Sequence, residues 1–366
     1  MFGNGNFRSP LVARVCLHPI YPNNLFYALR IVNCRLSDAI QNLEDGCTNL
    51  IGNIRLIGGE NLPPQNIAEQ KLSSVKEVIG CILVSGTNYT SFTFLRSLES
   101  VTCNQSLYQD GLIIGIAIYF NRAAESFGID KLKAVNVSTD NDVSLLILQN
   151  SFCISEQQLA LFTSFHRMQF TGITICNATK KYCDVEFNSN DGFFNPSSLP
   201  DGCQILLCGL QINSSQSASS NSIDQKLSTI EEIYGFLSVE NSSMTSLNLP
   251  KLYRIYNPTF FVRPSIKIVN NLDLQSFDFS NLTIITDFNP TTNIEMFANQ
   301  ALKMSSQQCA QLADIIELNN LTYQISGGLE NCSVTDENSH SARQTSILTL
   351  HFSCLMWIIS SCYFQI

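Results

Sequence analysis

The side chains of this 366-residue chain that could act chemically on another molecule are four histidines, fourteen cysteines and one close pair of aspartates. His18, His166, His340 and His351 all lie outside the short apolar runs that recur along the chain. A Ser/His/Asp or Cys/His relay needs an imidazole held beside its nucleophile, and this distribution offers little to build one from. Asp140 and Asp142 have the spacing of a carboxylate pair, and some β-helical enzymes cut polysaccharide with paired Asp. Their context, STDNDVS, is nevertheless that of a turn. His166, in LFTSFHRMQF, reads as a partly buried structural residue. H-E-x-x-H, G-x-x-x-x-G-K-[ST], G-x-S-x-G and C-x-x-C are all absent. The expectation is therefore no catalytic residue, no metal and no cofactor. A different chemistry is well represented. Asn88, Asn104, Asn136, Asn177, Asn213, Asn241, Asn281, Asn320 and Asn331 each open an Asn-X-Ser/Thr glycan acceptor site.

Composition bounds the partner. Hydrophobic residues make up 45% and charged residues 14%, which is globular and poor in charge. The net charge of −9 and the lack of a basic stripe exclude a nucleic-acid partner, which needs clustered Lys and Arg. The cysteine count together with the glycan acceptors favours an oxidising, secretory route.

What must position any functional residue is a repeat. QKLSSVKEVIGCILV (70–84) returns as QKLSTIEEIYGFLSV (225–239), with seven of fifteen positions identical. Upstream, DGCTNLIGNIRLIG (45–58) matches DGCQILLCGLQINS (201–214). Downstream, FTFLRSLESV (92–101) matches LNLPKLYRI (247–255), SFGIDKLKAV (126–135) matches SFDFSNLTII (276–285), and LILQN (146–150) matches EMFAN (295–299). The chain thus holds two copies of a unit of roughly 110 residues. Within each, runs such as IGNIRLI, GCILV and GIAIYF are short, rich in Ile, Leu and Val, and bounded by Gly, Asn, Ser or Asp, the form of short strands. No long amphipathic helix alternates with them. The expected fold is mainly β with short helices: two tandem right-handed β-helix, leucine-rich-repeat-like units, with Asn and Gly turning the corners.

The order Cys, GNIRLI, KLSSVKEVIGCILV, FTFLRSLESV resembles the receptor L domain of the insulin and epidermal growth factor receptors. It is also similar to nematode secreted proteins with paired L domains and no kinase. The segment NSFC (150–153) resembles the family's closing N-x-x-L/F-C, whereas NQAL in the second copy lacks the Cys. The resemblance implies a binding scaffold without receptor signalling, because neither a Cys-rich module between the copies nor a kinase is present. Cysteine spacing suggests staples: Cys153 with Cys176 and Cys309 with Cys332 at equal spacing, Cys81 with Cys103, Cys34 with Cys47, and Cys183 with Cys203. Cys16 and Cys208 have no evident partner.

The expected organisation is an N-terminal segment (1–44), a first L domain (45–178), a linker (179–200), a second L domain (201–332) and a tail (333–366). No signal peptide is evident, since Arg14, His18, Pro19 and Pro22 interrupt every apolar run. The tail pairs small residues at Ser333, Ser339 or Ser341 with the apolar Ile347–Ile359, in the manner of a lipid-anchor signal. The functional expectation is an extracellular or cell-surface protein, membrane-attached through its tail, that binds a secreted peptide or surface protein. Tyr89, Phe92, Tyr253, Tyr256, Phe260 and Phe261 read equally as exposed anchors or as core, and Phe94 reads as core. The alternatives are an adhesive surface glycoprotein and a carbohydrate-active enzyme.

Overall fold

The four residues Ile54–Ile57 illustrate the local rule: Ile54 and Leu56 are buried while Arg55 and Ile57 are exposed, the alternation that a half-buried strand imposes. A computed structural model describes residues 32–37, 39–59, 61–105, 113–139, 142–165, 167–185, 193–214, 220–258, 263–288 and 292–326. Two compact units result, one holding residues up to 146 with 150–153, the other holding 147–149 and the residues from 154 onward.

In the first unit the strands are β1 (Asn33–Arg35), β2 (Asn49–Ile51), β3 (Ile54–Ile57), β4 (Glu77–Ile79), β5 (Ile82–Ser85), β6 (Ser100–Cys103), β7 (Ile114–Tyr119), β8 (Ala134–Val137) and the start of β9 (Val143–Leu148), with helix α1 (Gln65–Leu72) between β3 and β4. The chain visits two ladders in alternation. One runs β1-β2-β4-β6-β8 and the other β3-β5-β7-β9. The registered pairs are parallel, so equivalent residues stack: Leu50, Val78, Val101 and Val135 in the first ladder, and Leu56, Val84 and Ile118 in the second. All of these are buried. Aliphatic side chains in such rows fill the space between the ladders. Tyr89, Phe92, Phe94, Phe127 and Phe152 complete the interior, with ring centroids such as Phe92–Phe152 at 5.6 Å and Phe127–Phe152 at 4.8 Å.

The chain continues through β10 (Cys153–Ile154), α2 (Glu156–Phe162), β11 (Met168–Thr171) and β12 (Thr174–Ile175). The second unit then repeats the plan with β13 (Tyr182–Cys183), β14 (Phe193–Phe194), β15 (Ile205–Leu206), β16 (Gly209–Asn213), α3 (Ser220–Leu227), β17 (Glu232–Ile233), β18 (Leu237–Glu240), β19 (Ser246–Asn248), β20 (Arg254–Asn257), β21 (Ile266–Val269), β22 (Ser276–Asp278), β23 (Ile284–Asp287), β24 (Ile294–Phe297), α4 (Ser306–Leu318) and β25 (Tyr323–Ile325). Its ladders are β13-β15-β17-β20-β23 and β14-β16-β18-β21-β24-β25, with β19-β22 as a short third. Helices α2 and α4 start alike. Ser155 and Ser305 each accept from the backbone N–H of Gln158 and Gln308, whose side chains accept in return from the Ser N–H.

Both units turn one corner with the same device. A residue at positive φ is followed by an inward polar residue: Gly86-Thr87, Phe120-Asn121 and Gln149-Asn150, then Asn241-Ser242, Asn270-Asn271 and Ala298-Asn299. In the first unit Asn121 donates through Nδ2 to the Asn150 Oδ1 (3.0 Å) and the Val84 carbonyl (3.0 Å), and accepts from the Thr87 N–H (3.0 Å). In the second, Asn271 donates to Asn299 Oδ1 (3.0 Å) and the Val239 carbonyl (2.9 Å), and accepts from the Ser242 N–H (2.9 Å). These amides are buried yet satisfied, and each supplies the bonds that a turning backbone cannot make with itself.

Two expected boundaries move. The stretch 179–200 is not a linker throughout: β13 and β14 pair with β15 and β16 and open both ladders of the second unit. Likewise β1 pairs with β2, so 33–35 belongs to the first unit and not to a separate N-terminal segment. In each case backbone groups at a ladder's edge are satisfied by an additional short strand.

Candidate functional site

Of the residues that suggested catalysis, Asp142 is described and Asp140 and His166 are not. The Asp142 carboxylate accepts from the Thr139 N–H (2.7 Å), the Thr139 hydroxyl (2.9 Å) and the Ile113 N–H (3.3 Å). It ties a turn to β7 and β9 and is buried. Disulfides join Cys34 to Cys47, Cys81 to Cys103 and Cys183 to Cys203, and Cys153, Cys176 and Cys309 are also disulfide-bonded. Cys208 is a free, buried thiol whose pKa burial raises. Asn88, Asn104, Asn136, Asn177, Asn241, Asn281 and Asn320 are exposed and Asn213 is half-buried. Cys16, Cys332, Cys354, Cys362, Asn331, Phe260, Phe261, Ser333, Ser339, Ser341 and the apolar 347–359 lie outside the described residues. Among the described residues no helix is long and apolar enough to cross a membrane.

Phe94 is core, as expected, and of the two readings left open for Tyr89, Phe92 and Tyr256 the core one holds. Tyr89, Phe92, Phe94 and Tyr256 are 2% exposed or less. The Tyr89 hydroxyl donates to the Pro63 carbonyl, and burial raises its pKa to about 12. Tyr256 donates to the Phe165 carbonyl (3.4 Å) and packs on Phe288. Tyr253 is only partly buried, and it belongs to a polar cluster of the second unit.

That cluster forms on the outer side of the ladder β13-β15-β17-β20. Register brings Glu232 opposite Arg254, and Ile233 opposite Ile255 in the core. Glu232 is buried, with Lys180 at 3.7 Å and Arg254 at 3.8 Å. It accepts from the Tyr234 hydroxyl (3.0 Å) and from that of Tyr253. A buried carboxylate so surrounded is compensated, which is the condition for holding a charge away from water. Lys180 also pairs with Glu231 at 2.9 Å, a hydrogen bond that raises the lysine pKa and lowers that of the glutamate. The Lys180 ammonium lies 5.6 Å from the Tyr253 ring centroid, and the Arg254 guanidinium lies 5.7 Å from those of both Tyr234 and Tyr256. Burial, then the bond to Glu232, raises Tyr253 to about 12. Partly accessible Lys180, Tyr182, Glu231, Tyr253 and Arg254 therefore surround a fixed buried charge.

The first unit differs at the matching positions. Core residues Val78 and Val101 correspond to Ile233 and Ile255. On the outer side Ile79, Glu99, Ser100 and Thr102 stand where the second copy has Tyr234, Tyr253, Arg254 and Tyr256. Packing constraints keep the inner rows alike, and the outer rows have become different surfaces. The first holds a groove of about 240 Å³ lined by the exposed Ile51 and Ile79, with Arg35, Gly52, Gly80 and Asn104 among the other lining residues.

The comparisons with known proteins agree with this two-copy geometry. The Receptor L domain family matches residues 46–164 and 202–313. Protein irld-34 of Caenorhabditis elegans is 32% identical over 284 residues, covering 75% of this chain and 69% of that protein. Two matched regions, each with the same pair of parallel ladders and the same asparagine corner, make this chain a member of the receptor L domain family.

Proposed function

We propose that this protein is a non-catalytic, extracellular binding protein whose second unit contacts a secreted peptide or a cell-surface protein. The observation that carries the reading is the divergence between the copies. Tyr and Arg, the side chains enriched at the energetic centres of protein–protein contacts, stand at Tyr234, Tyr253, Arg254 and Tyr256 on one ladder face of the second unit, where the first has Ile79, Glu99, Ser100 and Thr102. Charge partners pre-set the side chains there, which reduces the ordering cost of binding. Alternating visits to parallel ladders support a β-helical, leucine-rich-repeat-like architecture for each unit, and disulfides support an oxidising compartment. A scaffold of this kind would modulate a signal by holding its ligand. The test is a pull-down of secreted insulin-like and growth-factor-like peptides by the full chain. Saturable binding of one class supports the proposal. Binding only to immobilised cells or matrix, without saturation by any soluble peptide, overturns it in favour of an adhesive role.

A further inference from the structure

Ile51 and Ile79 are 41% and 43% exposed and are direct partners on adjacent strands. A lone exposed isoleucine is ordinary, but this pair lines one groove together with Gly52 and Gly80. Glycine is required at both positions. A Cβ on Gly80 would meet the Gly52 carbonyl oxygen at 2.2 Å, and one on Gly52 would meet the Leu36 carbonyl oxygen at 2.7 Å. The groove therefore presents two exposed apolar side chains beside Arg35, Asn53 and Asn104.

One glycan acceptor lines it and a second lies in the same row. Asn104 lines the groove, one residue beyond the end of β6. Asn136 lies in the same side-chain row: the parallel register runs Ile51, Ile79, Thr102, Asn136 across β2, β4, β6 and β8. Neighbouring strands are about 4.8 Å apart, so Asn136 stands roughly 10 Å from Ile79. Both asparagines are exposed. Asn281 is different, since its amide donates to the Pro250 carbonyl.

We infer that Asn104 and Asn136 are N-glycosylated and that their glycans lie across the Ile51–Ile79 groove, a built-in cover that removes this face of the first unit from recognition. The inference rests on the extracellular reading above. It covers the ladder face of the first unit with the chain's own sugars; in the second unit the acceptor nearest in sequence to the Tyr253 cluster is Asn177, three residues before Lys180. None of the nine acceptor asparagines falls on β13, β15, β17, β20 or β23, the strands of the second unit's matching ladder.

The full chain, secreted from a eukaryotic host, is tested by glycopeptide mass spectrometry and by hydroxyl-radical footprinting of Ile51 and Ile79. Expected are occupied Asn104 and Asn136, and oxidation of both isoleucines that rises several-fold in the Asn104→Gln/Asn136→Gln double variant or after enzymatic deglycosylation. Asn320→Gln, which removes an exposed acceptor of the second unit, should leave their oxidation unchanged. Occupied sites with no change in footprint overturn the cover and leave the extracellular reading intact. Bare Asn104 and Asn136 beside other occupied sites do the same. A chain that enters the secretory route and carries no glycan anywhere overturns both.

Discussion

Replacing Asn271 by Ala tests the corner device directly. Asn271 is fully buried. The substitution removes its bond to the Val239 carbonyl, its bond to Asn299 Oδ1 and the one it accepts from the Ser242 N–H, while the Asn271 backbone N–H keeps Asn299 Oδ1 at 3.0 Å. Three net contributions of about 1 kcal/mol each, plus about 1–2 kcal/mol for the Ser242 donor left buried and unpaired, predict a loss of about 4–5 kcal/mol. Little of this is volume, because the side chain lost is small. Against a domain stability of about 5–15 kcal/mol, that loss should be plain in urea unfolding followed by far-UV circular dichroism, as a lower midpoint at unchanged slope. Asn271→Asp provides the control. It keeps an acceptor for Ser242 but places a carboxylate against the Val239 carbonyl, so it should be destabilising at pH 7 and less so once protonated. A loss below about 1 kcal/mol for Asn271→Ala would show that the buried amides do not hold the corner.

Other outcomes follow from single features. Asp184 accepts from the backbone N–H groups of Gly172 (2.6 Å), Ile173 (3.2 Å) and Val185 (2.8 Å), yet burial outweighs these bonds and raises its pKa from 3.8 to about 6. A raised folded value means that this group favours the fold most below about pH 4 and that the contribution is lost as pH rises through about 6. Asp184→Asn should therefore flatten the stability profile between pH 4 and 7 by up to about 3 kcal/mol, and parallel profiles for the two proteins would refute the assignment. Gly80→Ala and Gly235→Ala each place a Cβ against backbone, at 2.2 Å from the Gly52 oxygen and 2.4 Å from the Gly209 nitrogen, so each should cost at least about 3 kcal/mol in thermal unfolding. Cys81→Ser/Cys103→Ser should destabilise the protein by about 2–4 kcal/mol, read as a lower melting temperature that reduction of the remaining bridges lowers further.

Much of the fold was legible because its strands are bounded and its rows are aliphatic. IRLI, CILV and AIYF announce strands, and the internal repeat announces two units. The corner asparagines were legible as a class, and their pairing needed the structure. Strands β13 and β14, of two residues each, are too short to give any period, so a stretch rich in Asn, Ser and Pro read as linker. The capping boxes at Ser155–Gln158 and Ser305–Gln308 were readable from S-x-x-Q and mark α2 and α4 as equivalent helices. Exposure of aromatics was not readable, because Tyr89 and Phe92 are buried by segments distant in sequence, including Phe152. Nor was the polar cluster: Lys180, Glu232 and Tyr253 meet only because β13, β15, β17 and β20 stack in one register.

The central claim is that recognition belongs to the second unit's outer ladder face. Once a soluble peptide ligand is in hand, titrating it against Tyr253→Ala, and against Glu99→Ala at the matching position of the first unit, tests this most directly. The account predicts that Tyr253→Ala weakens binding by at least about 2 kcal/mol, roughly thirtyfold, while Glu99→Ala leaves the dissociation constant within about twofold. Equal small effects, or a larger loss from Glu99→Ala, would contradict it.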